Sequence, residues 1–282
     1  MEGIKAELHC HTWYSFGTKI KVEGLHSPED MVRHASNLGF HAIAITDHNT
    51  FTGALEAERC AKRYGIVVIK GEEITTNDDK HVIGLGLNEL IPKGLTLDEV
   101  LDRIREQGAI AVAPHPFDIN NKGLGKLALK CDAIEIFNAI NKDRLSNRKA
   151  MKFAKKHNIP GVAGSDAHCK EMLGYCSTII DAEPEVDSIL KAIKKGNTAV
   201  RARYVPVSVI RDWSLKRIDY SYLYILNYIA EHYRQPKKLL CEKMLKLTKR
   251  SPGKIDYLFA VLAYFGLLGA TFYSLVKTPF RD

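Results

Sequence analysis

The chain has 282 residues, 45% hydrophobic and 26% charged, with a formal net charge of +8. That composition buries a sizeable core and suits one large domain with an appendage. It excludes a disordered chain and, having no internal repeat, a solenoid or propeller. Cys10, Cys60, Cys131, Cys169, Cys176 and Cys241 lack CxxC spacing, which argues against a disulfide framework or a zinc ribbon.

The first strand-like run, 6–11, carries His9-Cys10-His11, whose i, i+2 spacing turns both imidazoles to one face of a strand. Ser27-Pro28-Glu29-Asp30 supplies a cap, a first-turn proline and first-turn acids for a helix closing near Gly39. A second run, 41–46, leads into Thr46-Asp47-His48, and a helix is expected over 53–64. The third run, 66–69, precedes Gly71-Glu72-Glu73-Ile74; His81 opens the fourth, 81–87. Thr96 and Glu99 have capping-box spacing for a helix ending at Gly108. The fifth run, 109–113, ends at Pro114-His115-Pro116. The sixth, 133–137, and the seventh, 160–163, flank a helix over 147–157; Gly164-Ser165-Asp166-Ala167-His168 follows, then a helix over 185–195. Seven short apolar strands alternating with helices favour a parallel barrel, and the ionisable residues gather at strand ends, where barrels carry their active face.

A surface or a core has no need of six histidines and several acids at successive strand ends. Imidazole and carboxylate ligands without thiolate suit Mn²⁺, Zn²⁺ or Fe²⁺. In this order HxH, TDH, GxE, a later His, the His115 motif and GSDAH resemble the polymerase and histidinol phosphatase (PHP) superfamily, over residues 4–200. The resemblance implies an α/β fold, a distorted (β/α)7 barrel related to TIM barrels with a small C-terminal helical segment, and a PHP-associated C-terminal extension. It implies a metal-dependent phosphoesterase whose ligands are His9, His11, His48, Glu73, His81, His115, Asp166 and His168. Glu73 rather than Glu72 matches the bridging carboxylate, and Asp47 resembles a partner that orients a neighbouring imidazole. The chain departs from the family at Ser15-Phe16-Gly17-Thr18, where an Asp is usual; no acid follows until Glu23. Two divalent ions are therefore expected, with the third site weakened or completed by other groups.

Two ions bridged by Glu73 would activate a water, with Asp166 and His168 as proton carriers. Arg144 and Arg148, after the sixth strand, are the candidate phosphate clamps. The expected substrate is a small phosphorylated metabolite, a nucleotide or a short oligonucleotide.

Residues 1–205 are read as the barrel and 206–282 as a basic helical tail. From Ser214 onward twelve Lys/Arg face five Asp/Glu, and 257–276 carry no charge. That stretch is long enough to cross a bilayer, with the basic block on the cytoplasmic side. A buried helical hairpin, with Gly266 and Gly269 in a turn or a close helix contact, is the alternative, and a nucleic-acid module is less favoured because the last helix is wholly apolar. Without a basic-then-apolar leader the catalytic domain is expected in the cytoplasm, with membrane anchoring through the tail. Two other functions compete: a non-catalytic barrel scaffold with a membrane- or nucleic-acid-binding tail, and a metal-dependent amide or lactone hydrolase.

Overall fold

The computed structural model describes residues 3–141 and 143–277. Nine strands form one sheet: β1 (Ile4–Glu7), β2 (Ala42–Ile45), β3 (Val67–Thr75), β4 (His81–Leu85), β5 (Ile110–Ala113), β6 (Ala133–Asn138), β7 (Gly161–Gly164), β8 (Cys176–Ile180) and β9 (Thr198–Ala202). Their order is β7-β6-β5-β4-β3-β2-β1-β8-β9. The seven expected strands are present, and β8 and β9 add two that the sequence reading did not register. Pairing is parallel for β1–β2–β3 and β5–β6–β7, but antiparallel around β4 and through β8 and β9. The purely parallel arrangement is thus corrected to a mixed one. A five-residue turn joins β3 to β4, too short for the crossover that parallel strands require.

The sheet curls almost shut, and side chains rather than a ladder join its ends. Thr178 Oγ1 on β8 accepts from the Ala163 amide at 2.9 Å and donates to the Ala163 carbonyl at 3.1 Å. On β9, Thr198 Oγ1 donates to the Gly161 carbonyl at 2.8 Å.

Strand residues alternate between two cores. Ala6, Ala42, Ala44, Val112 and Val162 point into the barrel, where small side chains fit the narrow interior. Ile189, Leu190 and Ile193 of α5 (Val186–Lys195) plug the end opposite the histidines. Ile43, Ile45 and Ala113 point outward against α1 (Pro28–Asn37), α2 (Thr52–Tyr64), α3 (Leu97–Glu106) and α4 (Leu145–His157). Local chemistry sets the helix starts. Ser27 Oγ accepts the Asp30 amide at 3.1 Å, and Thr96 with Glu99 forms a complete capping box.

Four helices follow the barrel: α6 (Val207–Tyr220), α7 (Tyr222–His232), α8 (Lys237–Thr248) and α9 (Ile255–Lys277). α9 runs unbroken through Gly266 and Gly269, so neither glycine makes a turn, and a Cβ at either meets nothing within 4 Å. α6 returns across the histidine-bearing rim and hydrogen-bonds to the loop after β1, through Trp213 Nε1 to the Glu23 carbonyl at 2.9 Å.

Gly164 marks how tightly that rim is packed. A Cβ there would lie 2.2 Å from Glu135 Oε1 and 2.4 Å from the His9 Cβ. Gly164→Ala is expected to lower the unfolding free energy by about 1–3 kcal/mol, measured by urea denaturation.

Candidate metal centre

Strand ends hold the polar residues in fixed register. The Asp166 amide donates to the His9 carbonyl at 2.8 Å and the His11 amide to the Ala167 carbonyl at 2.8 Å, so the loop after β7 is laced to the end of β1. Likewise the Glu73 amide donates to the Asp47 carbonyl at 3.2 Å, tying β3 to the loop after β2. His115 and Asp166 both adopt positive φ, 26° and 53°, a backbone state costly for side chains larger than glycine and typical of functional sites.

Glu73 is the hub, almost completely buried. Its Oε2 lies 3.3 Å from His9 Nε2, 3.3 Å from His11 Nε2 and 3.2 Å from His48 Nδ1. Its Oε1 lies 2.8 Å from His81 Nδ1 and 3.2 Å from His115 Nε2. Strand alternation turns Glu72 away, where it accepts the Ile91 amide at 3.0 Å. Asp166 Oδ1 lies 3.2 Å from His11 Nε2, 3.5 Å from His9 Nε2 and 3.6 Å from His168 Nδ1. All eight residues named as ligands thus converge on one pocket.

An outer ring orients them. Glu135 Oε1 takes His9 Nδ1 at 2.9 Å, while its Oε2 accepts the His115 amide at 2.7 Å and Asn138 Nδ2 at 3.0 Å. Asn138 Nδ2 also reaches Asp166 Oδ2 at 3.1 Å. Glu7 Oε1 accepts the amides of His9 and Ser165 at 3.1 and 2.9 Å. Asp47 accepts from the Thr12 amide, Thr12 Oγ1 and Ser15 Oγ at 2.6, 2.6 and 2.8 Å. It touches no imidazole itself; Ser15 Oγ, 3.1 Å from His11 Nδ1, passes the constraint on.

Glu7, Ser15, Glu23, Glu135, Asn138, Trp213 and Arg217 are residues the sequence reading did not assign to the site. A lone acid within an apolar strand, Glu135 or Glu7, was the readable signal for two of them. Glu23 comes from the loop after β1, where its carboxylate faces His48 Nε2 at 3.8 Å and His168 Nε2 at 3.9 Å. Arg217 Nη2 sits 3.8 Å from Glu23 Oε1, its guanidinium lies 4.6 Å over the Trp213 ring, and Trp213 packs 5.1 Å from the His168 ring. The candidate clamps are elsewhere. Arg144 stacks 3.6 Å over Tyr204, and Arg148 is exposed on α4. Cys10 donates to the Ala44 carbonyl at 3.2 Å.

The electrostatics suit cations. Burial pushes His48 down to about 3, and burial with the nearby His11 pushes His168 down to about 4, so both are neutral donors at pH 7. Burial also opposes protonation of His11 and His115, but hydrogen bonds to Asp166 and Glu73 raise His11 to about 9, and a bond to Glu73 raises His115 to about 9. Against burial, the surrounding imidazoles hold Glu73 and Asp166 well below the usual carboxylate range. Protons here balance carboxylates that divalent ions would balance better. His115 Nδ1 is buried with no hydrogen-bond partner among the described residues. Four triplets have donor atoms within 4.8 Å of one another: His9–His11–Glu73, His48–Glu73–His81, His9–His115–Asp166 and His11–His48–His168. Nitrogen and oxygen donors at this density fit a multinuclear divalent centre.

A family model described as PHP-associated matches residues 144–198, which run from the start of α4 to β9 and lie within the barrel. A Methanocaldococcus jannaschii protein described as uncharacterised is 41% identical over 154 residues, covering 52% of this chain and 90% of that one. The chain belongs to the PHP superfamily. A 5'-3' exoribonuclease of Haemophilus influenzae is 35% identical to this PHP protein over 111 residues, 38% of each chain. The crystal structure of PsfC from Pseudomonas syringae shares the fold, with a TM-score of 0.56 at 18% identity, covering 77% of this chain and 98% of that one. Membership and donor set together make the protein a metal-dependent hydrolase.

Dialysis against a chelator is expected to lower the melting temperature, and adding back Mn²⁺ or Zn²⁺ to restore it, because cations that bind only the folded state stabilise it. Glu73→Gln is expected to abolish the restoration, read by scanning calorimetry.

Proposed function

We propose that this PHP protein hydrolyses phosphoesters. The observation that carries the reading is that one buried carboxylate, Glu73, is contacted through both oxygens by five imidazoles. Divalent ions bound by His9, His11, His48, Glu73, His81, His115, Asp166 and His168 would supply Lewis acidity and an activated water, the usual means of phosphoester cleavage at such centres. Glu23, facing His48 and His168, takes the role of the acid missing from 15–18 and favours a third cation position. Mn²⁺, Zn²⁺ and Fe²⁺ all suit the donors.

The remaining work falls to the chain itself. Glu135 and Asn138 hold His9 and Asp166 in position, and Ser15, braced by Asp47, holds His11. Asp166 and His168, adjacent at 3.6 Å, carry the proton from the attacking water towards the leaving oxygen. Arg217, fixed between Trp213 and Glu23, is the cation best disposed to meet a phosphate oxygen. The exoribonuclease relative supports a nucleotide or short oligonucleotide among the substrates, beside small phosphorylated metabolites.

We also infer that the tail attaches to a membrane surface. α9 has mean hydropathy 1.8 over the span Ile255–Val276. Its Ala263–Leu267–Ser274 side is sheltered, and Ser274 Oγ donates to Asp143 Oδ1 at 3.0 Å. Tyr257, Val261, Phe265, Leu268 and Phe272 are exposed on the other. A helix held along the protein in this way lies in the interface plane rather than across the bilayer.

With Mn²⁺ and p-nitrophenyl phosphate or a 5'-phosphorylated dinucleotide, Asp166→Asn is expected to lower kcat at least about a hundredfold. Inertness of the metal-loaded protein towards a broad phosphoester panel sinks the reading. Arg217→Ala is expected to raise KM more than it lowers kcat, by about tenfold, in steady-state assays.

A further inference from the structure

Between the barrel rim and the tail lies a cavity of about 790 Å³, with α6 to α9 as its walls. Phe259, Leu262, Leu267, Ile225, Ile229 and Leu240 are among the side chains that make it apolar. Such walls retain water poorly and are filled by apolar guests. The charged residues among its described lining are Lys19, Arg144 and Arg211, all basic; Arg211 is paired with Asp212 at 2.6 Å and Arg144 stacks over Tyr204. These cations come with the barrel rim and α6, while the apolar lining comes with the tail helices. The chamber is therefore almost wholly apolar, with basic side chains along one edge.

That edge is contiguous in chain with the metal centre. Ala139 and Asn141 line the cavity directly after Asn138, whose amide holds Asp166 at 3.1 Å. Lys19 and Ile20 line it from the same loop that carries Ser15 and Glu23. α6 serves both chambers, with Trp213 and Arg217 towards the histidines and Ile210, Ser214 and Ile218 towards the cavity. On the solvent side the cover is α9, the helix with the exposed apolar face.

We propose that this cavity binds the hydrocarbon chain of a phosphorylated amphiphile drawn from a membrane, and that the amphiphile's phosphate ester is the bond the centre cleaves. The inference rests on the phosphoesterase reading and narrows its substrate. Water adds to phosphorus, the bond from phosphorus to the chain's oxygen breaks, and that oxygen takes the proton released by the water. The products are inorganic phosphate and a long-chain alcohol. α9 lies in the interface with its sheltered face roofing the chamber, and the basic edge of the chamber favours an anionic over a cationic amphiphile. The exposed Lys237, Lys243, Lys246, Lys249 and Lys254 hold the protein on an anionic surface.

The test uses the full chain and pairs a binding measurement with turnover. Decylphosphonate and ethylphosphonate, whose carbon–phosphorus bonds resist hydrolysis, are titrated by calorimetry below the micellar concentration, with decyltrimethylammonium as the cationic counterpart. Burial of a methylene is worth about fourfold in affinity, so even a partly buried decyl chain is expected to bind at least about a hundredfold tighter than ethyl. The cationic amphiphile is expected not to bind. A Cβ at Gly266 meets nothing within 4 Å, so Gly266→Phe has room to fold and fills the cavity. It is expected to bring the two phosphonates within about threefold of each other, with an unchanged melting temperature as the check on folding. Equal binding of both phosphonates to the wild type overturns the proposal. In turnover, decyl phosphate is expected to exceed ethyl phosphate in kcat/KM by the same factor as in binding. If both esters are cleaved equally, the cavity inference falls and the phosphoesterase reading stands. If decylphosphonate binds tightly but neither ester is cleaved, the phosphoesterase reading and the substrate assignment fall together.

Discussion

One buried carboxylate organises this molecule. Glu73 has less than a tenth of the exposure of an ordinary surface acid, yet five imidazoles from four separate chain segments crowd its two oxygens. Burying that many titratable groups together is unfavourable unless charge is balanced locally. The barrel achieves the crowding because each of these side chains stands at or just beyond the end of a strand whose register is already fixed by backbone pairing. The outer carboxylates, Glu135, Glu7 and Asp47, then take up the hydrogen-bonding capacity facing away from the centre. Rigid strands supply the precision, and loops supply the variation: Glu23 reaches His48 and His168 from the loop after β1.

Much of this was legible from residues alone. His9 and His11 read as a pair because strand geometry turns i and i+2 to one face, whereas Glu73 was singled out from Glu72 only by the family resemblance. The α1 and α3 starts followed from Ser27 and Thr96, whose side chains close bonds to amides three residues on. What stayed hidden depends on contacts remote in sequence. β8 and β9 carry little periodicity, since they pair antiparallel at the edge of the sheet and β9 is half exposed, so tertiary pairing decided them. Arg144 sat in a suitable loop, but the ring of Tyr204, sixty residues away in sequence, captures its guanidinium. Arg217 lies in a helix that pattern alone assigns to the tail, and only the path of α6 over the rim reveals its neighbours.

The tail shows why net charge is a poor guide without geometry. Its lysines line the outer faces of α8 and the turn before α9, while α9, uncharged over 257–276, runs along the body with one side packed. An amphipathic element of this kind has a wet face, a greasy face and a protein face. The two chambers that the tail borders differ in chemistry, one dense with nitrogen and oxygen donors, the other almost wholly hydrocarbon, and α6 gives a face to each.

That shared helix has a bearing on modularity. Trp213 and Arg217 stand beyond the last strand, yet they abut His168 and Glu23. Cutting the gene after the barrel would leave the strands with their ladders intact and strip one wall from the reaction chamber, admitting bulk solvent to imidazoles now shielded by an indole. Barrel and appendage therefore share a single functional unit, and an exchange of tails between relatives would alter the chemistry along with the address.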